Sequence, residues 1–78
     1  MEMTIDLFIQ NFANQFDDTE LEEFAPDTEY RELDEWDSLI GLAVLNMIDK
    51  KYGVKLNFTE MRATETIQQL FDLVVAKQ

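Results

Sequence analysis

The stretch Glu35-Trp36-Asp37-Ser38-Leu39-Ile40-Gly41-Leu42-Ala43-Val44-Leu45-Asn46-Met47-Ile48 decides how this chain is organised. Its first residues close an acidic segment, and eight of the ten residues 39–48 are apolar. That is more than one buried helical face requires. Asp37 is a capping residue type at the point where the polarity changes. Ser38 therefore stands at a helix start, where free backbone N–H groups and a partial positive charge suit a phosphate. The helix is predicted from Ser38 to about Tyr52, with Leu42, Leu45, Ile48 and Tyr52 as its core stripe. Lys50 and Lys51 suit its negative end, and Gly53 is a natural stop.

On the N-terminal side, Ile5, Phe8, Ile9, Phe12 and Phe16 repeat at spacings of three and four. They predict a first helix that Thr4 would cap. Periodicity is lost from residue 17 to residue 36, and Pro26 and the many acids there indicate a loop. Phe24, Tyr30, Leu33 and Trp36 are its candidate anchors. A loop of this length in a small domain is expected to be functional, and it leads directly to Ser38. On the C-terminal side, Val54 to Phe58 reads as a connector and Thr59 to Arg62 as one helical turn. Thr66 and Gln69 form a capping box for a last helix with the stripe Ile67, Leu70, Phe71 and Val74. Three amphipathic helices and one short turn imply a small all-α bundle.

With 78 residues the chain has room for one domain, residues 1–78, and a modest core. Cysteine and histidine are both absent. Disulfides and thiolate catalysis are thereby excluded, and the commonest general base and metal ligand are missing. The formal charge is −11, which opposes nucleic-acid binding and favours basic protein surfaces. Residues 17–37 hold eleven acids and one base, Arg31, so this segment alone carries −10. It fails as an EF-hand: counted from Asp17, Glu22 stands where the turn needs glycine. No metal site is expected, and no membrane span or signal peptide is read, so a cytoplasmic protein is the expectation.

Asp37-Ser38-Leu39, set before an apolar helix in the middle of a short acidic chain, resembles the attachment site of acyl carrier proteins. The resemblance covers the first helix, the long loop, the helix begun at Ser38, the short third helix and the last helix. Lys51-Tyr52-Gly53-Val54 resembles the end of the family's second helix. The fold implied is an acyl-carrier-like all-α bundle of three main helices plus one short helix. Its long loop lies between the first and second helices.

The resemblance implies 4′-phosphopantetheine, donated by coenzyme A and attached covalently to Ser38, with Asp37 and Leu39 completing the motif. The thiol of that group would carry acyl thioesters in fatty-acid, polyketide or another dedicated pathway. The chain would be a carrier rather than an enzyme. Its expected partners are a phosphopantetheinyl transferase and acyl-transferring or acyl-ligating enzymes, and it is expected to act as a monomer.

The chain departs from the family pattern at Glu35, where glycine is frequent, and at Trp36, where a small residue is frequent. After Ser38 the second helix has one acid, Asp49, where fatty-acid carriers often show an acidic row. Docking is therefore expected to use apolar residues near Ser38: Ile40, Leu42, Ala43 and Met47. Leu42 also belongs to the predicted stripe, and Met47 suits either core filling or a docking surface. Two alternatives stand beside this reading. One is an aminoacyl or peptidyl carrier, although such carriers more often show Gly-Gly-His-Ser here. The other is an acidic helical adaptor without a prosthetic group.

Overall fold

A computed structural model describes residues 4–78. Four α-helices lie among the described residues: α1 (Ile5–Ala13), α2 (Ser38–Tyr52), α3 (Phe58–Arg62) and α4 (Ile67–Lys77). The long connection between α1 and α2 contains two 3₁₀ turns, Leu21–Glu23 and Tyr30–Glu32. The architecture is the expected all-α bundle of three main helices and one short one.

Local chemistry sets the helix ends. The Thr4 hydroxyl accepts from the Leu7 N–H at 3.2 Å and starts α1. The Asp37 carboxylate accepts from the Ile40 N–H at 2.9 Å and starts α2. Gly53 ends α2 with φ of 68°, a left-handed conformation that glycine adopts without a Cβ penalty. The third helix begins one residue earlier than the sequence suggests. Asn57 and Glu60 close a reciprocal capping box, which draws Phe58 into the helix. Thr66 and Gln69 make the expected box at α4.

The buried faces are those anticipated for α1 and α4. Phe8, Ile9 and Phe12 come from α1, and Ile67, Leu70 and Val74 from α4. In α2 the register differs. The inward residues are Gly41, Val44, Leu45, Met47 and Ile48, whereas Leu42 is 47% exposed. The run is apolar on nearly every side, so periodicity alone permits two stripes. Gly41 selects between them, because a Cβ there would stand 3.0 Å from the Phe58 ring and 3.3 Å from Trp36. The two aromatic rings take the space that a larger side chain would fill, and the helix turns Gly41 inward.

The long acidic segment is tied to the bundle from both sides. Phe24 and Tyr30 are buried, and Leu33 and Trp36 pack against the core. Trp36 stacks with Phe12 at 6.4 Å between centroids, and Tyr30 meets Phe12 edge-on at 5.4 Å. The carbonyls of Thr28 and Pro26 accept from the N–H groups of Ile67 and Gln68 at 3.2 and 2.9 Å. The loop thus satisfies two of the donors that the start of α4 would otherwise leave free.

Glu35 closes the base of the same segment. Its carboxylate accepts from the N–H groups of Asp17 and Asp18 at 2.6 and 3.0 Å and from the Thr19 hydroxyl at 2.7 Å. The Thr19 hydroxyl, followed by the Asp17 N–H, holds the Glu35 carboxyl below its ordinary value, because these donors favour the charged form. Glu35 thus latches the two ends of the acidic segment together.

Candidate functional site

Ser38 is the first residue of α2 and is exposed. The Asp37 side chain occupies the Ile40 N–H, and the Asp37 carbonyl accepts from Gly41 at 2.9 Å. Among the described residues, neither the Ser38 nor the Leu39 N–H meets a protein acceptor. The hydroxyl and two free donors therefore face outward together at the positive end of a 15-residue helix.

A cleft of about 480 Å³ opens beside them. Asp37, Ser38 and Trp36 form one wall, and Phe58, Met61 and Arg62 of α3 form the other. Arg31 reaches it from the 3₁₀ turn. The Arg31 guanidinium donates to the Thr64 carbonyl at 3.0 Å. Beneath it lies a buried polar cluster in which the Tyr30 hydroxyl donates to the Met61 carbonyl at 2.9 Å. Tyr30 also meets the Thr64 hydroxyl at 2.7 Å. Burial pushes the Tyr30 phenol above its ordinary range, with Thr64 and Arg31 opposing, so it stays neutral at physiological pH.

The cleft suits a phosphate-linked group. It supplies an exposed hydroxyl, free backbone donors, two guanidiniums and a partly apolar lining. Its charged groups are Arg31, Arg62 and Asp37, and the Asp37 carboxylate holds the helix cap through one oxygen. Arg31, Arg62 and Phe58 did not stand out as site residues in the sequence. Only Arg31 leaves a trace there, as the single base in a segment of eleven acids.

The residues expected to dock partners separate into three groups. Leu42 and the neighbouring Leu39 are exposed, at 47% and 76%. Ile40 and Ala43 are half-buried, and Ile40 packs against the core. Met47 is 5% exposed and belongs to the core, because the inward face of α2 runs through Val44 and Ile48. It is not available as a surface contact. Gly41 and Val44 are likewise buried. Glu60 bonds the Lys77 ammonium, which holds the Glu60 carboxyl below its ordinary value.

No helix among the described residues is long and apolar enough to cross a membrane. No curated protein and no solved structure matches the chain. A family model described as a phosphopantetheine attachment site matches residues 8–74, from the core of α1 to the last buried residue of α4. The chain therefore belongs to the acyl carrier protein family as a phosphopantetheine-binding carrier domain, and its cofactor is covalently bound 4′-phosphopantetheine.

Proposed function

We propose that Ser38 carries the phosphopantetheine and that the chain moves acyl thioesters between enzymes without itself catalysing a reaction. The observation that carries this reading is the position of Ser38. It is the chain's sole serine, exposed on the first turn of α2 behind the Asp37 cap and open to the cleft. When bound, the cofactor supplies a thiol, which this cysteine-free chain lacks. The Ser38 oxygen attacks the β-phosphorus of coenzyme A, a new P–O bond forms, and adenosine 3′,5′-bisphosphate leaves. The hydroxyl proton goes to a base on the transferase.

Partner enzymes then meet Leu39 and Leu42, the exposed apolar pair nearest Ser38. Ile40 and Ala43 form the edge of that contact. The helix beneath carries one acid and two bases, Asp49 against Lys50 and Lys51. Little charge-based docking is available on this face. That composition supports a dedicated acyl pathway with its own partners over general fatty-acid synthesis.

Intact-mass spectrometry tests the assignment. Co-expression with a broad-specificity phosphopantetheinyl transferase should add one phosphopantetheine to the native chain and none to S38A. The variant should still fold, since Asp37 retains the cap. Modification of S38A would overturn the assignment, and so would a native chain that stays unmodified.

A further inference from the structure

We infer that Arg31 and Arg62 form a clamp that seats the phosphodiester of the arm in the cleft beside Ser38. The inference rests on the reading of Ser38 as the attachment residue. Its ground is the placement of two cations. The chain has seventeen acids and six bases, and two of the six line the cleft beside Ser38. Among the described residues, the one ion pair joins Lys77 to Glu60. Neither arginine is in an ion pair, which is equally true of Lys50, Lys51 and Lys55, but of these bases only the two arginines line the cleft that contains Ser38. They reach it from separate parts of the chain, Arg31 from the 3₁₀ turn of the loop and Arg62 from the end of α3.

The chemistry of the two side chains matches one anion. A phosphodiester keeps a single negative charge at neutral pH and offers two unesterified oxygens. A guanidinium presents five donors in a planar fork and remains charged throughout the accessible pH range. Arg31 donates to the Thr64 carbonyl and lies beside the Tyr30 hydroxyl and the acids Glu29, Glu32 and Glu65, yet it forms an ion pair with none of these carboxylates. Arg62 has no side-chain hydrogen bond among the described residues and can swing to the same point.

There is also an electrostatic need. Attachment at Ser38 places a new negative charge next to Asp37 and at the end of a segment already carrying −10. The N-terminus of α2 offsets part of that repulsion, and nearby cations offset more. With both guanidiniums in place, the first atoms of the arm lie against the protein, over Trp36 and Phe58. Only the distal part then swings freely.

Phosphorus NMR on the modified protein tests the clamp, with mass spectrometry confirming one added group in every sample. The reference is the same phosphopantetheinyl serine in a peptide released by proteolysis. The native resonance should be displaced from the reference and move toward it with added salt. In R62Q the displacement should fall, and in R31Q/R62Q it should vanish. Acrylamide quenching of Trp36, the sole tryptophan, should weaken on modification of the native chain and not of the double variant. R31Q gives up the bond to Thr64, so circular dichroism is recorded on each variant. Should the double variant unfold, R62Q alone decides the matter. A native resonance that coincides with the peptide, or a displacement unchanged in R62Q and the double variant, overturns the clamp alone. Absence of the added mass overturns the assignment of Ser38 and the clamp together.

Discussion

The acidic segment 17–37 and the helix α2 that follows it are held by opposite means. In α2, eight of the ten residues 39–48 are apolar, and the helix is fixed by local caps and by burial of Val44, Leu45 and Ile48. The segment before it carries −10 and has little regular structure of its own. It is fixed by contacts from distant parts of the chain. Phe24, Tyr30 and Trp36 enter an aromatic cluster with Phe12 and Phe16. The Pro26 and Thr28 carbonyls bond the start of α4, and Glu35 latches onto residues 17–19. A charged, aperiodic composition therefore does not mean a detached loop. A few aromatic anchors and satisfied backbone groups order it, and that order delivers Arg31, Trp36 and Ser38 to one cleft.

The sharpest way to break this comparison is to remove an anchor. If the segment belongs to the core, Phe24→Ala should destabilise the protein by about 3–5 kcal/mol, as for other buried phenylalanines. Ile48→Ala in α2 should cost about 2–5 kcal/mol. Urea denaturation of both variants gives the values. A loss for Phe24→Ala below about 1 kcal/mol would leave the segment outside the core.

A smaller effect isolates the polar fastening. Tyr30→Phe keeps the ring in the cluster and removes the hydroxyl shared with Thr64 and the Met61 carbonyl. Thr64 still bonds the Met61 carbonyl at 2.8 Å, so the cost should be about 1–2 kcal/mol rather than more. It should appear as a lower urea midpoint with an unchanged slope. A variant as stable as the native chain would remove this cluster from the fastening of the segment.

The two regions also differ in how far they can be read in advance. Asp37, Gly53 and the Thr66–Gln69 box are legible because a cap acts within three or four residues. The inward face of α2 is not, because its apolar residues surround the axis. What decides it is Gly41 against Phe58 and Trp36, a contact between separate elements. The latch was hidden for a similar reason: Glu35 bonds partners 16 to 18 residues away. Ser38 stands out as a candidate from its immediate neighbours. The arginines of the cleft converge only after folding.

Acidity sets the latch against the repulsion of its own segment. From neutral pH to about 5, partial loss of negative charge relieves repulsion, and the melting temperature should rise slightly. Added salt at neutral pH should raise it for the same reason. The Glu35 pKa is depressed in the folded state, mainly by the Thr19 hydroxyl. Its stabilisation is therefore present above the unfolded glutamate value of about 4.3 and is lost as pH falls through the lower folded value. Glu35→Gln should flatten part of that acid limb, leaving the part due to Glu60, whose pKa Lys77 also depresses. The variant should in addition weaken hydrogen-exchange protection at Asp17 and Asp18. An acid limb and protection pattern identical to the native ones would mean that the latch contributes nothing.

The smallest effect on stability is expected at the outer face of α2, where the apolar helix meets solvent. Leu39 is 76% exposed, and Leu42 is 47% exposed and off the inward face. Leu39→Asp should change stability by within about 0.5 kcal/mol. Leu42→Asp should cost little more. Ile40 packs against the core, so Ile40→Asp brings a carboxylate into a partly apolar site and should cost about 1 kcal/mol or more. Melting curves should therefore rank Ile40→Asp well below the two leucine variants. Transfer of phosphopantetheine and acyl loading should rank them otherwise. Leu39→Asp and Leu42→Asp should slow both steps while folding normally, because a charge would enter a contact that partners desolvate. Asp49→Asn, which changes the only acid of α2 after Ser38, should alter neither step appreciably. Normal loading of both leucine variants together with impaired loading of Asp49→Asn would show that partners recognise charge here, and that the apolar surface of α2 serves packing alone.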